Sequence, residues 1–331
     1  CSFFPPKTVA EKTSCGRRCG HGRRDTLGLK PVLESQMPRV SVIIPTYNRR
    51  DFVREAIASV YAQTYRDFEL IVVDDGSTDG TAWIVEEFRQ ERVDSIQYIY
   101  QTNQGVSAAR NKGVVRSSGE LVAFLDSDDV WQPEKLAAQI AFFNTRPIAQ
   151  ICQTQEVWLR RGVRVNPHNK HRKSGGDIFL RSLELCLVSP SAVMMQRALF
   201  ECMGGFDEQL PACEDYDLWL RIGALFRVDL IDIPLVIKRG GHADQLSHQF
   251  WGMDRFRVIA LRKLLDFGVL SDEQRQATTS MLHKKCRILA YGAIKRGKSA
   301  EPYLSLAAAY PVEASAGTLA EAEEEVRVSS E

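Results

Sequence analysis

Three carboxylates fall within four positions, Asp126, Asp128 and Asp129, directly after the apolar run 121–125. Such a run predicts a strand buried on both faces, as in a parallel sheet. Carboxylates at the end of such a strand lie where open α/β sheets bind their ligands. Because like charges repel, these groups stay ionised most easily around a cation, and hard oxygen ligands suit Mg²⁺ or Mn²⁺ completed by substrate phosphates. A polar turn with Asp129 near a helix start is the alternative.

Strand and helix patterns alternate through the first half of the chain. The apolar spacing predicts strands at 40–44, 68–73, 96–100 and 121–125, and helices at 51–63, 81–89, 105–116 and 133–144. We expect Pro45 to end the first strand. This alternation predicts a doubly wound α/β sheet, and right-handed crossovers bring the strand ends to one rim.

The second half is less regular. It predicts strands at 151–159, 192–195 and 228–238, the last broken by Pro234, and a helix at 214–226. The basic stretch 162–176 is expected to be a mobile loop, residues 249–310 to be mostly helical, and the end of the chain to be a solvated acidic tail.

Composition narrows the class of protein without deciding it. The 331 residues are 44% hydrophobic and carry a formal net charge of +1, so global charge gives no reason to expect a nucleic-acid partner. No apolar run approaches the roughly 20 residues that span a bilayer. Five scattered cysteines read as buried thiols, which indicates a reducing cytosol: Cys152, Cys186, Cys202, Cys213 and Cys286.

The first 37 residues are rich in Arg, Gly, Pro and Ser and show no period. We therefore expect a disordered arm. Because Met37 stands just before the first strand, the arm is expected to be non-native, with Met37 as the natural start.

Four ordered motifs carry a resemblance to a known family. They are Val40-Ser-Val-Ile-Ile-Pro-Thr-Tyr-Asn-Arg49, Phe68-Glu-Leu-Ile-Val-Val-Asp-Asp-Gly-Ser-Thr-Asp79, Asn103-Gln-Gly-Val-Ser-Ala-Ala-Arg-Asn-Lys-Gly113 and Gly119-Glu-Leu-Val-Ala-Phe-Leu-Asp-Ser-Asp-Asp129. In order and spacing they resemble family 2 glycosyltransferases. The match is dense over 39–135 and sparser to about residue 250. Four motifs in the same order are far more specific than a single short motif.

The resemblance implies a GT-A fold, in which a Rossmann-like, mostly parallel sheet joins an acceptor-side subdomain, here with a C-terminal helical extension. It implies donor binding by Pro45, Tyr47, Asp75, Arg110 and Asp126. It also implies that Asp126 and Asp128 form a D-x-D pair meeting a donor diphosphate bound to Mn²⁺ or Mg²⁺.

The acceptor half has its own signature. Gly204-Gly-Phe-Asp207 and the Glu214-Asp215 pair resemble the family's G-G-F-D and E-D motifs. An inverting transfer needs a base that takes the acceptor hydroxyl proton. Asp215 is the first choice and Glu214 the second, although acids at a helix start also favour its dipole. His242 is a further metal or phosphate candidate, and a simple loop histidine is an equal alternative.

The implied organisation is an arm (1–37), a GT-A domain (38–248), a helical extension (249–312) and an acidic tail (313–331). Within the domain, 38–130 is the nucleotide half and 131–248 the acceptor half. The Q-x-x-R-W motif of processive synthases is absent, which with the missing membrane spans indicates transfer of a single sugar.

The implied activity is metal-dependent inverting transfer from a nucleotide sugar, a UDP-sugar first, in bacterial cell-surface polysaccharide or glycoconjugate synthesis. The acceptor would be a saccharide or a lipid-linked sugar. The expected location is the cytoplasm, with peripheral contact at the inner face of the membrane as a further expectation.

Two other classes of protein share part of this pattern. A dinucleotide-dependent oxidoreductase needs a Gly-rich turn after the first strand, where this chain has Pro45-Thr-Tyr47 instead. A catalytically inert nucleotide-sugar binding protein stays open as the alternative, although intact D-x-D and E-D residues favour an enzyme.

Overall fold

The computed structural model describes residues 37–91, 96–166, 172–241, 250 and 252–311. Nearly all of the expected arm and the whole acidic tail lie outside these residues, as does His242. No helix in the described ranges is long and apolar enough to cross a membrane.

The first half of the fold follows the alternation that the sequence predicts. The strands are β1 (Val40–Thr46), β2 (Phe68–Asp74), β3 (Ile96–Tyr100) and β4 (Leu121–Phe124), and the helices are α1 (Arg50–Tyr61), α2 (Thr81–Glu91), α3 (Val106–Val115) and α4 (Lys135–Thr145). These four strands are parallel, in the order β3-β2-β1-β4. Their carboxyl ends therefore share one rim, as expected for right-handed crossovers.

The second half extends this sheet with antiparallel and parallel neighbours. It adds β5 (Val130–Trp131), β6 (Ile151–Arg160), β7 (Val163–Val165), β8 (Val193–Gln196) and β9 (Asp229–Gly240), with helices α5 (Phe179–Ser182), α6 (Arg197–Cys202) and α7 (Glu214–Gly223). In the described residues the sheet order is β3-β2-β1-β4-β8-β6-β9-β5, and β7 pairs with β6. The predicted mostly parallel α/β fold is confirmed.

Pro45 does not end the first strand, contrary to expectation. The amide of Asp75 donates to the Thr46 carbonyl and the amide of Leu125 donates to the Ile43 carbonyl, so alternate residues of β1 face β2 and β4. That alternation turns Pro45 toward β4, whose pairing with β1 stops at Ile43 and Phe124. The missing N–H therefore breaks no ladder bond, which is how a proline is tolerated in a central strand.

Two other differences arise from local irregularity. The stretch 162–176 is not simply a loop, since Val163–Val165 forms β7 against β6; residues 167–171 lie outside the described part. Pro234 does not break β9, because the β6–β9 register shifts between Thr154 and Glu156, opposite the proline. A bulge of this kind absorbs a residue that cannot donate to the ladder.

Three helices follow the sheet: α8 (Asp254–Asp266), α9 (Asp272–Lys295) and α10 (Glu301–Ala308). Ser271 caps α9 in a capping box with Gln274. The helices share a hydrophobic core with α5 and α7, through residues such as Phe179, Tyr216 and Leu261. The helical extension therefore packs against the helix that carries Glu214 and Asp215.

Candidate functional site

The acidic turn after β4 lies at the shared rim of the parallel strands. The amide of Leu125 still bonds to Ile43 of β1, and the amide of Asp129 then closes a turn on the carbonyl of Asp126 at 2.9 Å. Ser191, which precedes β8, ties this turn down: its hydroxyl accepts from the Asp126 amide at 3.1 Å and donates to the Asp129 carboxylate at 2.6 Å.

Arg110 joins the acids of the two acidic motifs. This buried side chain on α3 donates from Nη2 to Asp126 Oδ1 and from Nη1 to Glu214 Oε1, both at 2.7 Å. Its guanidinium also lies 4.9 Å from the centroid of the Phe206 ring, within the Gly204-Gly-Phe-Asp207 motif. Sixteen residues separate Arg110 from Asp126, and 104 separate it from Glu214. The fold thus brings the two acidic motifs to one guanidinium.

The two carboxylates bonded to Arg110 differ in their electrostatics. Burial alone raises the pKa of Asp126, but the charges of Arg110 and Lys238 outweigh it, and the pKa lies below its ordinary value. Burial and the neighbouring charge of Asp215 raise the pKa of Glu214, and Arg110 offsets this only in part. Asp126 is therefore held ionised, whereas Glu214 depends on Arg110 for its charge.

Asp128 is paired with a residue that the sequence analysis did not single out. Arg49 Nη1, at the junction of β1 and α1, lies 2.6 Å from Asp128 Oδ2, with both side chains mostly buried. The sequence does place Arg49 in the first motif, directly after the Pro45-Thr-Tyr-Asn stretch. Only the fold shows that it reaches the D-x-D pair.

Asp129 fits the structural role that the turn alternative gave it. Its carboxylate accepts bonds from the Ser191 hydroxyl and, at 2.9 Å, from the Arg239 amide. Burial, together with the charges of Asp128 and Asp126, raises its pKa to about 7, although Lys238 opposes the shift. Both of its oxygens accept bonds from groups that hold the turn in place, which gives Asp129 a structural role.

Lys238 is a second cation that the sequence analysis missed. It lies in β9 and donates to Ser189 Oγ at 3.1 Å. Burial lowers the pKa of Lys238, but the charges of Asp129, Glu156, Asp126 and Asp128 outweigh it and raise the pKa above its ordinary value. Arg49, Arg110 and Lys238 thus surround the acidic turn with positive charge.

The loops after β1 and β2 carry Tyr47 and Asp75, two of the residues predicted to bind a nucleoside. Pro45 is buried in β1, while the Tyr47 ring is 48% exposed beyond the strand end. Asn48, with φ of 50°, joins the two loops: its amide donates to Ser77 Oγ and its side chain accepts from the Thr78 amide, both at 2.8 Å. An exposed ring on a fixed loop is suited to packing against a base.

Asp75 is buried beside the start of α3. Its Oδ1 accepts from the Gln101 side chain and the Gln104 amide, and its Oδ2 accepts from the Gly105 amide at 2.8 Å. A carboxylate offers about four acceptor positions, so one is left on Oδ2. Asp75 therefore orders the 101–105 loop and keeps capacity for one further donor, such as a group of a base or ribose.

Asp215 is the more accessible member of the acidic pair. Glu214 is buried on α7, whereas Asp215 is half-buried; it accepts from the Tyr216 amide at 2.7 Å and lies 3.4 Å from the Cys186 sulfur. Neither contact neutralises its charge. Asp215 is therefore the carboxylate of the pair that solvent can reach, while Glu214 is bonded to Arg110.

Asp207, at the end of the Gly-Gly-Phe-Asp motif, is bonded to the helical extension. It is bonded to Lys263 of α8, and Lys263 also lies 2.8 Å from the buried Asp217. Arg221 completes the cluster, 2.8 Å from Asp217. The motif therefore supports Arg110 through Phe206 and anchors the helical extension through Asp207.

The donor atoms at the rim fit a cation shared with a ligand. The described residues contain no group of three or more His, Cys, Asp or Glu side chains able to hold a metal by themselves. Two carboxylates, Asp126 and Asp128, fit Mg²⁺ or Mn²⁺ when phosphate oxygens complete the shell. His242, the third candidate, lies outside the described residues.

Comparison with known sequences gives one family. The model of glycosyl transferase family 2 matches residues 41–204. The chain is 35% identical over 218 residues to an uncharacterised glycosyltransferase of Rickettsia prowazekii, covering 64% of this chain and 66%, just under two thirds, of that protein. It is 33% identical over 183 residues to the Escherichia coli UDP-Glc:alpha-D-GlcNAc-diphosphoundecaprenol beta-1,3-glucosyltransferase WfgD, covering 55% of this chain and 69% of WfgD.

Solved structures share the fold. Staphylococcus aureus TarS, residues 1–349, in complex with UDP-GlcNAc superposes with a TM-score of 0.61 at 24% identity, covering 74% of this chain and 72% of that one. The mannosyltransferase PcManGT of Pyrobaculum calidifontis, in complex with GDP-Man and Mn²⁺, gives 0.55 at 20% identity over 83% and 81% of the two chains. At these identities the likeness shows the fold alone.

Proposed function

Because this chain belongs to glycosyltransferase family 2, we propose that it transfers one sugar from a nucleotide sugar to an acceptor hydroxyl with inversion at the anomeric carbon. The observation that carries the proposal is the Arg110 bridge. One buried guanidinium holds Asp126, at the rim of the parallel strands, and Glu214, beside Asp215, at 2.7 Å each. A donor at the rim would then have its reacting carbon beside the acidic helix.

On the donor side, the Tyr47 ring would pack against the nucleotide base. The open acceptor position of Asp75 would receive a hydrogen bond from that base or from the ribose. Asp126 and Asp128 would hold Mn²⁺ or Mg²⁺, which when bound neutralises charge on the leaving diphosphate. Arg49 and Lys238 add positive charge at the same place, where the phosphate oxygens would approach. Fixed cations of this kind stabilise charge that develops as the leaving group departs.

On the acceptor side, the proposal assigns Asp215 as the base. The acceptor hydroxyl oxygen forms a bond to the anomeric carbon as the bond from that carbon to the phosphate oxygen breaks. The hydroxyl proton passes to a carboxylate oxygen of Asp215, and the electron pair of the broken bond leaves with the diphosphate. Glu214 positions Arg110, and through it Asp126.

The substrates follow from chemistry and relatives together. A UDP-sugar is the first donor to test, because WfgD is named for UDP-glucose and TarS was solved with UDP-GlcNAc. A lipid-linked saccharide is the first acceptor, because WfgD is named for a diphosphoundecaprenol substrate. We place the reaction in cell-envelope polysaccharide synthesis at the inner face of the membrane, where such acceptors present their sugar.

The test is a calorimetric screen of UDP- and GDP-sugars, with and without Mn²⁺, together with an assay for release of the nucleoside diphosphate. We expect Mn²⁺-dependent binding and slow hydrolysis of one donor. Asp128→Ala should abolish the Mn²⁺-dependent part of the affinity while the protein stays folded, although loss of the mostly buried pair with Arg49 should lower the melting temperature. Asp272→Ala, on the exposed first turn of α9, is the matched control.

Two outcomes would count against this proposal. Unchanged Mn²⁺-dependent binding in Asp128→Ala would remove the aspartate from the metal site. Donor binding without hydrolysis or transfer to any acceptor would favour the catalytically inert nucleotide-sugar binding protein.

A further inference from the structure

Helix α9 carries charge of one sign over most of its length. Residues 274–300 contain seven Lys or Arg and no Asp or Glu, although the whole chain is close to neutral. The next acidic residue is Glu301, at the start of α10. A stretch this one-sided is a candidate for contact with an anionic partner.

The basic residues share one exposed face with apolar side chains. Exposed residues recur at helical spacing, and we call them the α9 outer face: Lys284, Arg287, Ile288, Tyr291, Ile294 and Lys295. Ile288, Tyr291 and Ile294 are 52%, 59% and 63% exposed. The Lys295 ammonium lies 4.6 Å from the centroid of the Tyr291 ring. Large apolar side chains this exposed are not needed for packing in the described part of the chain.

The opposite face of α9 explains why the helix holds this orientation. Leu282, Cys286 and Leu289 are buried against α7 and α8 in the core of the helical extension. Lys285 is buried as well, 3.0 Å from Asp254 of α8. The helix is thus anchored through its buried face, and the outer face is left on the surface.

A short path of contacts links this face to the acceptor side of the candidate site. Lys284 lies 3.6 Å from Glu184, and Lys285 donates to the Glu184 carbonyl. Two residues further along, Cys186 lies 3.4 Å from the Asp215 carboxylate. An acceptor held at the outer face would therefore lie on the side of the protein that carries the proposed base.

We propose that the α9 outer face docks on the surface of an anionic lipid bilayer. Basic side chains would meet lipid phosphates while Ile288, Tyr291 and Ile294 enter the interface, as in amphipathic helices that lie on membranes. A second copy of the chain is a poorer partner, because a twofold contact would set lysines against lysines. The choice of a membrane over another anion rests on the proposed lipid-linked acceptor.

The charge contribution predicts a measurable effect. Each basic residue near an anionic surface contributes on the order of 1 kcal/mol, so neutralising Arg287 and Lys295 should weaken binding about 30-fold. Screening by salt should weaken wild-type binding as well.

The experiment is flotation of the full chain with vesicles of phosphatidylglycerol and phosphatidylethanolamine, and separately of phosphatidylcholine. We expect binding to the anionic vesicles alone, about 30-fold weaker in the variant Arg287→Gln/Lys295→Gln. Ile288→Ser/Ile294→Ser should also bind more weakly. The matched control is Arg54→Gln/Arg89→Gln, which removes two exposed charges from α1 and α2 and should bind as the wild type does.

Failure to float with anionic vesicles would overturn the proposal, as would equal loss in the control variant. A wild-type dimer that becomes a monomer in the α9 variants would assign the face to a second copy instead, and would also overturn it. Donor binding in solution is measured on the same samples and should be unchanged in every variant. The vesicle experiment can therefore fail or succeed whether or not the proposed sugar transfer is right.

Discussion

The proposed roles of Asp215 as the base and of Glu214 as the partner of Arg110 can be tested by two substitutions. Each removes the charge from one of these adjacent side chains. Asp215→Asn keeps the side chain's shape and can still accept from the Tyr216 amide, the 2.7 Å contact of the wild type. It cannot act as a base. Glu214→Gln keeps an acceptor for Arg110 but loses the charge that opposes the buried guanidinium.

The two variants should affect different quantities: Asp215→Asn should lower turnover, and Glu214→Gln should lower stability. A general base contributes typically 10²–10⁴-fold to turnover, so Asp215→Asn should lower kcat by at least about 10²-fold with donor affinity unchanged. Its stability should change by under about 1 kcal/mol, the size of an interaction with a helix dipole. Losing the Asp215 charge also removes one cause of the raised Glu214 pKa, which favours the folded protein.

Glu214→Gln should instead act on stability. The Gln amide oxygen still accepts from Arg110, but the guanidinium loses one of its two opposing charges where both side chains are almost fully buried. We expect a cost of about 1.5–3 kcal/mol, the size of a charged hydrogen bond. For a domain of this size about 1 kcal/mol corresponds to roughly 2–4 °C in Tm, which predicts a fall of about 3–12 °C. Asp126 keeps its own bond to Arg110, so donor binding should persist.

The assays are differential scanning calorimetry and steady-state transfer at saturating donor, run on both variants and the wild type. Asp215 is not the base if Asp215→Asn retains wild-type turnover while Glu214→Gln loses it without a change in Tm. Glu214 would then be the base. Weaker donor binding in Asp215→Asn at unchanged kcat would move Asp215 to the donor site.

Two further predictions concern charges buried away from the rim. Lys135 is fully buried, and burial lowers its pKa to about 7. Between about pH 7 and 10 the unfolded chain holds a proton that the folded protein has released, so the free energy of unfolding should rise with pH, by up to about 3 kcal/mol between pH 7 and 9.5. Lys135→Met should flatten this rise in urea titrations, and an equal rise in the variant would contradict the assignment. Lys263→Met should cost about 1–3 kcal/mol, because it leaves the buried Asp217 with Arg221 alone. Arg89→Met, which breaks an exposed pair with Glu86, should cost under about 0.5 kcal/mol by thermal melting.

Much of the rim was predictable because it depends on local sequence. The apolar run before Asp126 and the strand ends before Tyr47 and Asp75 are short-range patterns, and parallel strands with right-handed crossovers leave little freedom in where those ends meet. The helix bearing Glu214 and Asp215 likewise follows from apolar spacing. What local patterns could not show was that Pro45 continues its strand, because that depends on where the neighbouring β4 ends.

The family, the α/β alternation and the acidic motifs can be recognised from the sequence, since each depends on contiguous residues. Which cations meet those acids depends on the packing of distant elements. Arg49 reaches Asp128, Lys238 comes from β9, and Arg110 spans 104 residues to Glu214. The same packing commits Glu214 to a buried ion pair while Asp215 stays accessible. Long-range pairing and burial depend on how the elements pack, so adjacent carboxylates of nearly the same chemistry acquire different roles only in the folded protein.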